Sequence, residues 1–221
     1  MTAQRKSPFV QRLDQVQKEV AAFLKPLGFK KTGRSLNRLA AEGMVQVVGF
    51  QMGQYPIGDY VIPGLRENLY GKFTVNIGVS LPCVLQAEQG KVRTGSFHDY
   101  DCEIRARLSA IANLGNDIWW PLDDSTTQTA EALIAIIRDF GLPFFDNYSS
   151  YKSVIESFMR DGGFPNQNMG RGALAAAITS WSIGDHRQAQ AFFESSLAYA
   201  DASNHAGFRS HVLDLKNRIG A

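Results

Sequence analysis

The sequence predicts an α+β fold, in which a small antiparallel sheet of about four strands packs against helices and a helical subdomain follows at the C-terminus. Residues 72–81 alternate strictly between polar and apolar, which is typical of a strand with one buried face and one open face. Other stretches have apolar residues at three- and four-residue spacing, as amphipathic helices do. Residues 161–172 are rich in Gly and Asn and separate an α+β domain (1–162) from a helical appendage (166–221).

The first predicted helix covers residues 7–27. Ser7 is a suitable N-cap, Pro8 suits the first turn, and Gly28 is a natural end. Its apolar stripe consists of Val10, Leu13, Val16, Val20, Phe23, Leu24 and Leu27.

Two strands, 29–39 and 44–51, then form a predicted hairpin across residues 40–43, because Gly43 can adopt the left-handed conformation of a turn. Residues 53–71 have no period and read as a long loop, a class that is often functional. This loop carries three tyrosines that we expect to contact a partner: Tyr55, Tyr60 and Tyr70.

After the strand at 72–81, the spacing of Ile104, Leu108 and Ile111 predicts a short helix from Asp101 to Gly115. Residues 118–122 read as a last short strand. A helix begins near Ser125 and is expected to end at Gly141, and another covers 151–162.

The C-terminal segment is purely helical, at about 171–183, 185–202 and 206–219. Gly184, Ala189 and Phe193 are placed as in a single tetratricopeptide-type helix hairpin. One copy cannot form a solenoid, so the hairpin is either a plain appendage or a docking element for a peptide.

The amino-acid composition excludes several classes of protein. The 221 residues are 44% hydrophobic and 20% charged, with a net charge of +2, as in ordinary globular proteins. No apolar run is long enough to span a bilayer, and none follows Arg5 and Lys6, so we expect neither membrane insertion nor a signal peptide. Cys83 and Cys102 could pair, but we expect two reduced, buried thiols of a cytoplasmic protein. No phosphate loop, serine elbow or metal-ligand spacing is present, so no cofactor, metal or catalytic residue is predicted.

Two groups of basic residues are candidates for ligand binding. Arg105 and Arg107 precede Trp119 and Trp120, a combination that can grip an anion while an indole stacks on a ring. The alternative is that these arginines pair with nearby acids and one Trp packs inward. On a continuous strand Arg34 and Arg38 would share a polar face, next to Lys72, Thr74 and Asn76, that suits an acidic partner or a phosphorylated ligand. The basic patch is too modest to make nucleic acid the expected partner.

The order of several short segments resembles a known family. These are residues 23–34, 45–51, 73–79, 102–108 and the pair Trp119–Trp120. Together they are similar to the bacterial family known as domain of unknown function 4304, over about residues 9–145. The resemblance implies a bacterial source and a fold boundary, and it implies no activity.

The absence of catalytic signatures, the aromatic loop and the helical hairpin favour a non-catalytic protein-interaction module, such as a toxin-neutralising protein. The alternative is a small-ligand or anion-binding protein, or a minor enzyme, that uses Arg105, Arg107 and the Trp pair. Nucleic-acid binding through the basic strand is a third option.

Overall fold

The computed structural model describes residues 7–54, 68–115 and 117–221 and confirms the α+β class. Within these residues the sheet is antiparallel and has six strands instead of about four. The strand order is β1-β2-β3-β4-β5, with β6 paired to β4 beyond the end of β5. The strands are β1 (Lys30–Thr32), β2 (Ser35–Leu39), β3 (Val45–Met52), β4 (Lys72–Ser80), β5 (Ile104–Arg107) and β6 (Trp120–Pro121).

The N-terminal helix matches the prediction closely. Helix α1 covers Pro8–Leu24, and the Ser7 hydroxyl accepts a hydrogen bond from the Val10 amide at 3.3 Å. A 3₁₀ turn, Lys25–Leu27, ends at Gly28, whose φ of 90° is the left-handed conformation expected of a helix end.

The predicted strand at 29–39 is wrong in one respect, because the chain reverses within it. Gly33, with a φ of 58°, makes a tight turn that separates β1 from β2, and Lys31 pairs with Leu36. The side chains of β1 are exposed, and lysines on an edge strand prevent further strand pairing. Because of this turn, residues 30–38 do not form one continuous basic face.

Strand β4 was expected to have one face open to solvent or to a groove, and this expectation holds only in part, because a cavity adjoins that face but the strand's side chains are buried. Phe73, Val75, Ile77 and Val79 point into the main apolar core, but the opposite face is also buried. Residues 97–103, which we call the strap, cross that opposite face. Cys102 packs there with Val47, Leu85 and Phe97.

Two glycines make room for the strap on the sheet. A Cβ atom built on Gly78 would lie 2.8 Å from the Cβ of Cys102, and one on Gly49 would lie 2.8 Å from the Oδ1 of Asp99. Since real Cβ atoms do not approach so closely, a side chain at position 78 would force the strap away from the sheet, and one at position 49 would displace the carboxylate of Asp99.

The helix predicted from Asp101 to Gly115 is replaced by strand β5 and the short helix α3 (Leu108–Ile111). Residues 104–107 alternate Ile-Arg-Ala-Arg, so that Ile104 and Ala106 are buried while Arg105 is exposed. These residues form a strand instead of a helix because they pair with β4, on the side of β4 away from β3. The short strand predicted at 118–122 is present as β6.

The remaining helices surround the sheet. The helix that begins at Thr126 does not end at Gly141 but passes through a π-helical turn, Ile137–Gly141, which accommodates Pro143 in the continuing helix. Helix α2 (Pro82–Gln89), which follows β4, packs against α7 (Met169–Ser182) and α9 (Ala206–Ile219) of the C-terminal segment. The helices are α2 (Pro82–Gln89), α4 (Thr126–Ile136), α5 (Leu142–Asn147), α6 (Tyr151–Asp161), α7 (Met169–Ser182), α8 (His186–Ala202) and α9 (Ala206–Ile219). In the described part of the chain, no helix has the length and apolarity that crossing a membrane requires.

Candidate anion-binding site

A polar cavity of about 300 Å³ lies on the sheet face that the strap only partly covers. Strand register brings its side chains together, because Asn76 is paired with both Gly49 and Arg107, and Gly78 is paired with Arg105. These positions share one face of the sheet. We call it the arginine cavity, and it is lined by Gln51, Asn76, Asp99, Arg105, Ala106, Arg107 and Asn166.

Arg107 is held rigidly in the wall of this cavity. Its Nη1 donates to Gln51 Oε1 at 2.9 Å and to the buried Asn76 Oδ1 at 2.7 Å. Its Nε forms an ion pair with Asp117 at 3.0 Å, and its guanidinium lies 5.5 Å from the ring of Trp119. The predicted pairing of an arginine with a nearby acid therefore holds for Arg107.

Arg105 differs from Arg107 in having no such partners. Its side chain is exposed, and no described residue forms a hydrogen bond or an ion pair with its guanidinium. Its backbone carbonyl accepts a hydrogen bond from Asn166 Nδ2 at 3.4 Å. Five N–H donors and a full positive charge thus remain available at the cavity.

The strap contributes the acidic residue of the cavity. Asp99 lies above Gly49, where its carboxylate is half-buried. Burial raises the pKa of Asp99 above its usual value, although the positive charges of Arg105 and Arg107 act in the opposite direction.

Hydrogen bonds to β2 fix the position of the strap. Asn37 exchanges two hydrogen bonds with the backbone of Phe97, at 2.7 and 2.9 Å. Ser35 Oγ and His98 Nδ1 are hydrogen-bonded at 2.9 Å, and Asp101 accepts from the His98 amide at 2.8 Å. Asp99 therefore belongs to an anchored segment, and its position over the sheet is well defined.

The two tryptophans have different surroundings. Trp119 contacts Arg107 through its ring, and its indole N–H is buried without a hydrogen-bond partner among the described residues. Trp120 packs in the core, with its ring centroid 5.9 Å from that of Phe73. Neither tryptophan lines the cavity itself.

The other residues predicted for binding lie elsewhere. Arg34 is exposed at the β1–β2 turn, where its Nη2 contacts Met52 Sδ at 3.5 Å. Arg38 packs against the rings of Phe29 and Phe145. Of the three loop tyrosines, Tyr70 contacts Phe9 in an edge-to-face pair, and Tyr55 and Tyr60 are outside the described residues.

A second cavity of about 300 Å³ lies between α2, the strap and α7. Several of its charged groups are engaged. Arg93 forms an ion pair with Asp101, and a carboxylate oxygen of Glu103 accepts from the Leu81 amide at 2.6 Å. Both cysteines of the chain are free thiols, and burial raises the pKa of each. No three His, Cys, Asp or Glu side chains among the described residues are grouped so that they could hold a metal ion.

Sequence reasoning identified Arg105 and Arg107 and placed Asn76 on a polar strand face. It missed Gln51, Asp99 and Asn166 as neighbours of these arginines. The alternation of residues 104–107 was the sequence signal that could have revealed the site. A strand over these residues places both arginines on the same face as Asn76.

Comparison with known families agrees with the resemblance drawn from the sequence. The sequence model of the family described as Domain of unknown function (DUF4304) matches residues 20–147, which is more than half of the chain. The chain belongs to this family. The DUF4304 match contains every residue that lines the arginine cavity except Asn166. Searches of curated proteins and of solved structures give no significant match.

Proposed function

We propose that this DUF4304 protein binds a small anion, a carboxylate or phosphate group, in the arginine cavity. The observation that carries the proposal is the guanidinium of Arg105, which pairs with no described residue and lies at the edge of a cavity lined mostly by polar side chains. An exposed arginine is common, but this one adjoins a preformed concave site next to a second, immobilised guanidinium.

The hydrogen bonds within the cavity leave donors available for an anion. Gln51 Oε1 accepts from Arg107 at 2.9 Å and from Asn76 Nδ2 at 3.3 Å, so the amide nitrogen of Gln51 keeps its two donors. Guanidinium and amide N–H groups are the donors that proteins commonly use for carboxylates and phosphates. The proposal assigns Arg105 to direct contact with the anion and Arg107 to a fixed positive charge behind it.

The test is a calorimetric titration of the full chain with inorganic phosphate and with acetate. Arg105→Gln is expected to weaken binding about tenfold or more, because charge-assisted hydrogen bonds are lost. Its melting temperature without ligand should stay close to that of the wild type, since no described residue depends on the Arg105 side chain.

Arg187→Gln is the matched control. Arg187 is an exposed arginine on α8, outside the cavity, so this variant makes the same charge change and should bind like the wild type. Equal loss in both variants would show a nonspecific effect of charge. The absence of binding in the wild type would contradict the proposal.

Protein binding, which the sequence favoured, stays a prediction, as does its toxin-neutralising form. Among the described residues, the large apolar side chains that are exposed lie on separate elements, for example Leu39 on β2 and Met159 on α6. A tagged pull-down with a stoichiometric partner would support it. A bacterial source and a cytoplasmic location are further inferences from the composition and the family resemblance, and localisation of a tagged chain tests the location.

A further inference from the structure

The arginine cavity contains a negative charge as well as positive ones. Asp99 and Arg105 both line it, yet their side chains are too far apart to form an ion pair within 4 Å. Apart from the backbone N–H of Asp99 itself, no described residue donates a hydrogen bond to this carboxylate. Two opposite charges therefore face the same cavity without neutralising each other directly.

The position of Asp99 is built into the fold. Gly49 has no side chain, which leaves the space that the carboxylate occupies, and the strap is anchored to β2 by Asn37 and Ser35. The glycine beneath the carboxylate and the anchored strap around it distinguish Asp99 from an acidic side chain that is simply solvated at the surface.

We propose that the occupant of the arginine cavity is a zwitterion, a free α-amino acid whose carboxylate contacts Arg105 and whose ammonium contacts Asp99. This inference rests on the proposed anion-binding function and specifies the class of ligand. A simple anion on Arg105 would add a second negative charge beside Asp99, which is unfavourable at short range in a partly buried site. An amino acid brings one charge of each sign and so satisfies both residues.

The electrostatics of Asp99 agree with this arrangement. Burial raises its pKa despite the two nearby guanidinium groups, so the described residues stabilise the ionised carboxylate incompletely. An ammonium group at hydrogen-bond distance would supply the missing stabilisation.

The test compares amino acids with acids of the same length that lack the amine. Calorimetry on the full chain uses glycine with acetate, L-alanine with propionate, and L-glutamate with glutarate. In at least one pair the amino acid should bind about tenfold more tightly than its partner, as expected for one additional charge-assisted hydrogen bond.

Asp99→Asn should remove this advantage, since the amide keeps the shape of the side chain and loses its charge. The same variant should bind the simple carboxylates somewhat more tightly, because a repelling charge is gone. Asp124→Asn, at an exposed site away from the cavity, should keep the wild-type preference for the amino acid.

The outcomes separate the two proposals. If acetate, propionate or glutarate binds as tightly as its amino acid and Arg105→Gln abolishes binding, the zwitterion inference is overturned and anion binding stands. If neither the amino acids, the carboxylates nor phosphate bind the wild type, both proposals fail.

Discussion

At the residue scale, the strap holds acidic side chains in different surroundings. Glu103 is half-buried, and one of its carboxylate oxygens accepts from the Leu81 amide at 2.6 Å. Burial raises its pKa from 4.5 to about 8, which this hydrogen bond opposes only in part. Asp101, two residues earlier, forms an ion pair with Arg93 and accepts from the His98 amide. Glu103 is thus an acid that the fold favours in its neutral form.

This burial makes stability depend on pH. Between pH 4.5 and about 8 the folded chain keeps the Glu103 proton, while the unfolded chain has released it, so stability falls as the pH rises. The Glu103→Gln variant removes this pH-dependent loss of stability, because the glutamine side chain does not ionise. The variant should gain stability relative to the wild type as the pH rises, by on the order of 2–4 kcal/mol near pH 8, because each tenfold change in proton affinity corresponds to about 1.4 kcal/mol.

Urea unfolding at a series of pH values measures this difference. Glu131→Gln, at an exposed position on α4, is the control and should show no pH-dependent gain. A difference between Glu103→Gln and the wild type that is constant across the pH range would contradict the buried, neutral state of Glu103.

Individual site residues could be predicted only where a local sequence pattern marked them. Arg105 and Arg107 were identified from their spacing and their position before the Trp pair. Asp99 could not be assigned to the site, because its role depends on a strap that crosses the sheet and on a gap at Gly49, and neither leaves a local pattern. Gln51 joins the site through strand register alone.

At the element scale, the β1–β2 hairpin is tied to the helices by Arg38. Its guanidinium lies 4.7 Å from the ring of Phe29 and 5.9 Å from that of Phe145, and its Nε donates to Gln46 Oε1 at 2.7 Å. Gln46 is buried and in turn donates to the Phe145 carbonyl at 3.1 Å. Arg38 is therefore a packing residue that joins the sheet to α5.

Arg38→Lys is expected to destabilise the chain by about 1–2 kcal/mol, because an ammonium does not reproduce the planar stacking or the fixed donor to Gln46. Arg34→Lys is the matched control, since Arg34 is an exposed arginine in the neighbouring turn and should change stability by less than about 0.5 kcal/mol. Thermal or urea unfolding measures both. Equal, small effects would show that Arg38 is only a surface charge.

Elements with a long amphipathic stripe were predicted well, as α1 and the C-terminal helices show. Strand β5 was not, because apolar residues at 104, 108 and 111 fit a helix, and the alternation over 104–107 is too short to exclude one. Its pairing with β4 is a tertiary effect that no local window contains. The turn at Gly33 was missed because residues 29–39 were interpreted as one strand, although a glycine inside a strand pattern can mark a turn.

At the scale of the whole molecule, the apolar core continues from the α+β segment into the C-terminal helices. The ring of Phe158 on α6 lies 5.0 Å from that of Phe164 in the connecting segment and 5.1 Å from that of Phe192 on α8. The same core cluster includes Leu174 on α7 and Leu215 on α9. The connecting segment also lines the arginine cavity through Asn166.

This continuity predicts that residues 1–162 and 166–221 unfold together. Differential scanning calorimetry should give one transition, with equal calorimetric and van't Hoff enthalpies. The glycines and asparagines of 161–172 suggested a linker between separate units, but a linker sequence does not reveal whether the flanking segments share a core. Two resolved transitions would contradict the expectation.

The most direct test of anion binding at Arg105 is a nuclear magnetic resonance titration of the arginine Nε–H signals with inorganic phosphate. The signal of Arg105 is assigned by its absence in Arg105→Gln, and that of Arg187 in the same way. The Arg105 signal is expected to shift and saturate, and the Arg187 signal is expected to do neither. Equal, unsaturated shifts at both arginines, or no shift at Arg105, would contradict anion binding at Arg105.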